Sequence, residues 1–120
     1  MTFKAIVFVY RKPSISLAQF KHHYECSHVP LVQSLTGHLF PLAHTRRYIQ
    51  EADRPPTAQC DVVMEMTFGD RSAFEAFSAK LMQGDNGAEV ATDCERFMDT
   101  ARTAMVVVED ILETTREERL

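Results

Sequence analysis

Ala43-His-Thr-Arg-Arg-Tyr-Ile-Gln-Glu51 and Cys60-Asp-Val-Val-Met-Glu-Met-Thr-Phe68 are two alternating, β-branched and aromatic stretches separated by the turn chemistry of Ala52-Asp-Arg-Pro-Pro-Thr57. No helical pattern lies between them, so they predict two antiparallel strands paired as neighbours. Working outward, Gly69-Asp70 closes the second strand, and Asp70 can cap a helix from Arg71 to Leu81 whose buried side carries Phe74, Phe77 and Leu81. Gly84 to Gly87 breaks that helix before a second one, Glu89 to Phe97, and a last strand runs from Thr103 to Leu112. On the other side, Phe3 to Tyr10 reads as a strand buried on both faces. Ser16 and Gln19 form a capping box ahead of a helix from Leu17 to about Cys26, with Leu17, Phe20 and Tyr24 as its apolar stripe. Pro30 is expected to break that helix, leaving a short helical piece from Leu31 to Leu35 that ends at Gly37.

The order is strand, helix, strand, strand, helix, strand. That is the split βαβ pattern of a ferredoxin-like α+β sandwich, a four-stranded antiparallel sheet with helices on one face. The bare sheet face needs cover, and a homodimer closing two sheets into an α+β barrel supplies it. One domain is expected over residues 1–112, with a charged tail over 113–120.

Composition narrows the function classes. At 120 residues, 45% hydrophobic and 25% charged, the chain is that of one soluble globular domain. A net charge of -4 argues against nucleic acid or an anionic membrane as partner. No apolar run approaches the roughly 20 residues needed to cross a bilayer. The start, Met1-Thr-Phe-Lys4, lacks the form of a secretory signal. Three scattered cysteines, Cys26, Cys60 and Cys94, suggest reduced thiols and a cytoplasmic protein.

The candidate chemistry gathers around Phe20-Lys-His-His-Tyr-Glu-Cys-Ser-His-Val-Pro-Leu-Val32, which holds three of the five histidines. His28, at the expected proline break, is a titratable group free to face a pocket and act as a general acid or base. Tyr24, four residues earlier, shares its face if the helix persists. Neighbouring His22 and His23 diverge by about 100° on a helix, and His23 to His28 misses the four-residue spacing of helical metal ligands, so no metal site is expected. Tyr48 and His44 share one strand face; the tyrosine hydroxyl suits orientation of a carbonyl, whereas His44 also reads as merely exposed. Asp61 and Glu65 lie four apart on a strand, on one side. Glu65, between Met64 and Met66, must be paired, protonated or facing water. Pairing with Arg46 or Arg47 is one reading; orienting His28, or serving as acid or base itself, is the other.

Phe20-x-x-x-Tyr24-x-x-x-His28-x-Pro30, Arg47-Tyr48-Ile49-Gln50, Asp61 to Phe68, Ser72 to Phe77 and Asp93-x-x-Arg96-Phe97-Met-Asp99 occur in an order that resembles the EthD family of the dimeric α+β barrel superfamily. Tyr24 stands where that family more often has tryptophan. The resemblance implies a cofactor-independent lyase or cyclase, of decarboxylase or dehydratase type, acting on an aromatic or polyketide-like small molecule in secondary metabolism. In that reading His28, Tyr48 and Glu65 are catalytic, and Tyr24, His44 and Asp61 bind substrate. A cofactor-free quinol monooxygenase and a non-catalytic small-molecule-binding accessory protein are the alternatives.

Overall fold

In the computed structural model, which describes residues 2–117, four strands and four α-helices follow the expected order. Residue 1 of the expected domain, and residues 118–120 of the expected tail, lie outside the described residues. Strand β1 is Phe3–Val9; helices α1 (Leu17–His23) and α2 (Val29–Thr36) flank a π-helical turn at Tyr24–His28. Then come β2 (Ala43–Tyr48), β3 (Val62–Phe68), α3 (Arg71–Leu81), α4 (Asn86–Phe97) and β4 (Ala104–Val107). The sheet order is β2-β3-β1-β4, with every pair antiparallel. This is the ferredoxin-like arrangement.

The local signals explain the element starts. The capping box forms as expected, with Ser16 Oγ accepting from the Gln19 amide and Gln19 Oε1 from the Ser16 amide. Asp70 caps α3 by accepting from the Ala73 amide at 2.8 Å. Gly37, at φ 55° and ψ -125°, takes a positive-φ conformation open to glycine and ends α2.

Strand parity decides what each residue faces. Ala5, Val9, Val62, Met64, Met66 and Phe68 point to the helices and form one core with Phe20, Tyr24, Val32, Phe77 and Phe97. Fully burying each of the larger apolar side chains stabilises the fold by about 1.5–3 kcal/mol. The opposite face carries Ile6, Phe8, Val63 and Val106, all partly exposed, around Glu65. It is the uncovered face of the sheet, so β1 is not buried on both faces as expected: Ala5 and Val9 are buried under the helices, while Ile6 and Phe8 stay partly exposed.

Two further expectations need correction. Pro30 does not break the helix: the backbone stays helical from His23 through Val29, and the Val29 amide donates to the Tyr24 carbonyl five residues back. A π turn is wider than an α turn, and the chain passes Pro30 in the first turn of α2, where the missing amide is least costly. The last strand is also shorter than expected. It stops at Val107, and residues 109–117 are exposed and without regular structure, because the apolar run ends at Val108 and acidic residues follow.

Candidate functional site

The π turn sets the geometry of the site. On an α-helix, residues five apart point about 140° away from each other. The extra residue of the π turn brings His23 and His28 onto one side, and both meet Asp93 of α4. His28 Nδ1 lies 2.8 Å from Asp93 Oδ2, and His23 Nε2 lies 2.9 Å from Asp93 Oδ1. Arg96 is the third partner of the carboxylate, donating to Oδ1 at 3.3 Å. Asp93 is only 3% exposed and His28 8%, so the pair is shielded from bulk water.

Electrostatics assign the proton. Burial pushes the Asp93 carboxyl up, but hydrogen bonds from His28 and His23 outweigh it and hold its pKa below the ordinary value. Burial lowers the His28 pKa against the pull of Asp93, so the imidazole is neutral near pH 7. A neutral ring beside a carboxylate donates from Nδ1, which leaves the Nε2 lone pair free. That is the state of a general base.

Phe97, 0% exposed, holds the ring in place with centroids 4.8 Å apart, and Tyr24 meets it edge-on at 5.7 Å. Beyond His28 lies a cavity of about 330 Å³ between the sheet and α2, α3 and α4. Its walls are apolar: Val32, Met64, Met66, Phe74, Phe77, Leu81, Met82, Val90 and Met105, with His28, His44, Ser78 and Cys94 as polar members. The volume is at the lower end of ordinary small-molecule sites, about 300–1,000 Å³.

His44 enters the same cavity from β2, stacked on Phe40 at 5.6 Å. Burial and the Arg46 charge push its pKa down to about 4, so it too is neutral at pH 7. Arg46 Nη1 lies 2.7 Å from His44 Nδ1 and is itself held by a two-point pair with Glu25, Nε to Oε2 at 2.6 Å and Nη2 to Oε1 at 2.9 Å.

The other expected site residues fall elsewhere. The Tyr48 hydroxyl donates to Glu25 Oε2 at 2.6 Å and does not line the cavity. Tyr24 is 1% exposed and packs behind His28, its hydroxyl without a protein partner among the described residues. Glu65 does not answer His28 from below. It pairs in register with Ile6 and Thr45, so its side chain points to the uncovered face, toward Arg47 at 3.5 Å and Lys4 at 3.7 Å. The expected pairing with Arg47 is present; the expected alliance with His28 is ruled out by strand parity. Asp61 precedes β3 and is structural, accepting from the Arg11 amide at 2.7 Å and Arg54 Nη1 at 3.0 Å. It does not reach the cavity.

Asp93, His23 and Arg46 are the residues sequence reasoning missed. Asp93 carried a signal: with Val90, Cys94 and Phe97 it occupies the inward stripe of α4, where a carboxylate needs partners. Among the described residues no three His, Cys, Asp or Glu side chains converge as a metal ion would require.

The sequence matches the EthD domain over residues 12–101, the span that holds both histidines, Asp93 and the cavity walls up to Cys94. The chain belongs to the EthD family. Among solved structures it is similar to an ethyl tert-butyl ether D (EthD) family protein from Bacillus halodurans C-125, at 20% identity and a TM-score of 0.61, over 92% of this chain and 100% of that one. An EthD-like protein from Ralstonia eutropha JMP134 is 18% identical with a TM-score of 0.58, over 98% and 97% of the two chains. A dimeric ferredoxin-like protein of unknown function from Bacteroides fragilis NCTC 9343 is 9% identical, TM-score 0.57, over 91% and 96%. At these identities the likeness establishes the shared fold. No curated relative matches the chain in sequence.

Proposed function

We propose that this EthD protein is a cofactor-independent lyase or cyclase acting on an aromatic or polyketide-like small molecule by general acid/base catalysis at His28. The observation that carries the reading is the placement of His28, with Nδ1 on a buried carboxylate and the ring at the wall of an apolar cavity. Substrates that carry their own electron sink, a β-keto or phenolic system, need a proton acceptor and a dry pocket more than they need a cofactor. Asp93 holds the imidazole in the accepting tautomer, as a carboxylate does in hydrolytic triads. The working unit in this proposal is a homodimer that covers the open sheet face. The exposed apolar centre of that face and the dimeric ferredoxin-like neighbour support it.

The test is turnover of a panel of aromatic polyketide intermediates by the purified full-length protein, with product and dissolved oxygen followed together. Conversion without oxygen uptake, abolished by His28→Ala in a folded dimer, supports the reading. Oxygen consumption with quinols would replace it with a monooxygenase. Ligand-dependent stabilisation without turnover would replace it with a binding protein.

A further inference from the structure

The lining of the cavity bears on the charge of the molecule it can admit. Among the described residues no Lys, Arg, Asp or Glu lines the cavity. Two full charges stand one residue behind the wall, the Asp93 carboxylate against His28 and the Arg46 guanidinium against His44, the latter already paired with Glu25. The four polar lining groups are two neutral imidazoles, a hydroxyl and a thiol whose pKa burial pushes up to about 11. A carboxylate or phosphate brought into this space would lose part of its hydration and touch no cation in the lining, the guanidinium behind His44 being engaged by Glu25, which is a large penalty for an anion.

The two histidines present opposite polarities. His28 donates a hydrogen bond from its Nδ1–H to the Asp93 carboxylate and turns an acceptor, Nε2, away from it. His44 Nδ1 accepts a hydrogen bond from the Arg46 guanidinium N–H, so its own ring proton sits on Nε2. Arg46 cannot accept a proton, which makes the His44 tautomer a consequence of the Arg46–Glu25 pair rather than a free choice. One cavity therefore holds one acceptor and one donor of the same chemical type.

We propose that the cavity selects an uncharged, enolisable carbonyl compound, gripped between His28 as proton acceptor and His44 as hydrogen-bond donor, with Arg46 as the residue that positions His44. The proposal rests on the acid/base reading and narrows it to proton removal beside a ketone, as in dehydration or aldol-type cyclisation, and away from decarboxylation of a free acid. In the step, the C–H bond next to the carbonyl breaks and its proton goes to His28 Nε2. The bond's electron pair becomes the carbon–carbon double bond of the enolate. The carbonyl π pair moves to oxygen, where the His44 Nε2 proton stabilises it. Reprotonation of carbon by His28 reverses the step.

Two measurements on the full-length protein test this. Calorimetric titration compares 2-naphthol with 2-naphthoate; the neutral probe should bind at least about tenfold tighter, a difference of about 1.4 kcal/mol. Equal or tighter binding of the carboxylate overturns the proposal. Deuterium exchange of 2-tetralone beside its carbonyl, followed by proton NMR in heavy water, should run faster than in buffer. His28→Asn, which keeps a donor toward Asp93, should cut the enzymic rate by about 10²-fold or more. Arg46→Met should reduce exchange at least about tenfold and convert the His44 nitrogen spectrum from Nε2-protonated to a tautomer mixture. An unchanged His44 spectrum in Arg46→Met overturns the positioning role. Preference for naphthol without exchange by any probe would refute the catalytic reading while keeping the neutral-ligand one. Exchange with no preference for the neutral probe would do the reverse.

Discussion

Asp93 and His28, 65 residues apart in the chain, share a hydrogen bond of 2.8 Å that fixes which nitrogen of the imidazole can take a proton. The bond exists because a five-residue spacing, His23 to His28, was converted by a π turn into a shared face. Replacing Asp93 with asparagine keeps the shape, removes the charge and turns one of the two acceptor oxygens into an NH2 donor. Asp93→Asn should lower the rate of any His28-dependent proton transfer by about 10³-fold with the circular dichroism spectrum unchanged. A loss of less than about fivefold would detach the carboxylate from catalysis, because that is below the effect of even one general-base contribution.

Acid should weaken the fold in a defined window. The folded pKa values of His28 and His44 lie below the ordinary 6.5, that of His44 at about 4. Well above pH 6.5 neither state binds the extra protons, so these two histidines contribute nothing to the pH slope there. As pH falls from 6.5 towards 4, the unfolded chain takes up protons the folded chain refuses, and stability drops. Asp93 and Glu25, whose folded values are held down, add a further loss at still lower pH as they protonate. Urea midpoints measured from pH 7.5 to 4.5 should decline throughout the lower part of that range. His44→Phe, which retains the stacking on Phe40, should remove a share of order 1–3 kcal/mol; an unchanged slope would assign the loss to other groups.

Phe97 touches His28, His23, Tyr24 and Phe20 and is fully buried. Phe97→Ala should cost about 3–5 kcal/mol by the cavity it leaves. Phe97→Leu should cost less, yet loosen His28, so that proton-transfer rate falls more than stability does. Equilibrium unfolding and exchange kinetics on the same samples separate the two effects.

The uncovered sheet face offers an association test that leaves the cavity untouched. Glu65 is the anion between Lys4 and Arg47. Glu65→Arg sets three cations side by side on that face, and a dimer formed there should dissociate at least about tenfold more readily, as like charges buried together repel. Sedimentation equilibrium reads this directly. An unaltered association constant would place the contact between copies elsewhere.

The hairpin of β2 and β3 was legible because alternation and Pro-Pro turn chemistry agree, and both capping signals at Ser16 and Asp70 report local backbone needs that tertiary context did not override. Strand parity was also present in the sequence. Val62, Met64, Met66 and Phe68 form an unbroken apolar row, whereas Glu65 sits in the other row with Val63 and Thr67. Following that row places Glu65 opposite the helices. The π turn was not legible. Nothing in residue-by-residue propensity distinguishes one extra residue in a helix from a break, and Pro30 argues for the break when only α geometry is considered. Asp93 was hidden for a related reason: its partners lie on a different helix, and pairing across helices depends on the rotation that the π turn supplies.

The cavity walls have a consequence of their own. Met64, Met66, Met82 and Met105 all line it, and Met82 and Met105 are largely exposed. Thioether side chains are unbranched and polarisable, so they remould around ring systems of different outline at little cost. Rigid walls tell homologous molecules apart by about 1–3 kcal/mol per methylene, and walls of this kind give up much of that discrimination. Under the proposed function, fidelity would then rest chiefly on the two imidazoles, and the protein would accept a range of related skeletons bearing one common functional group.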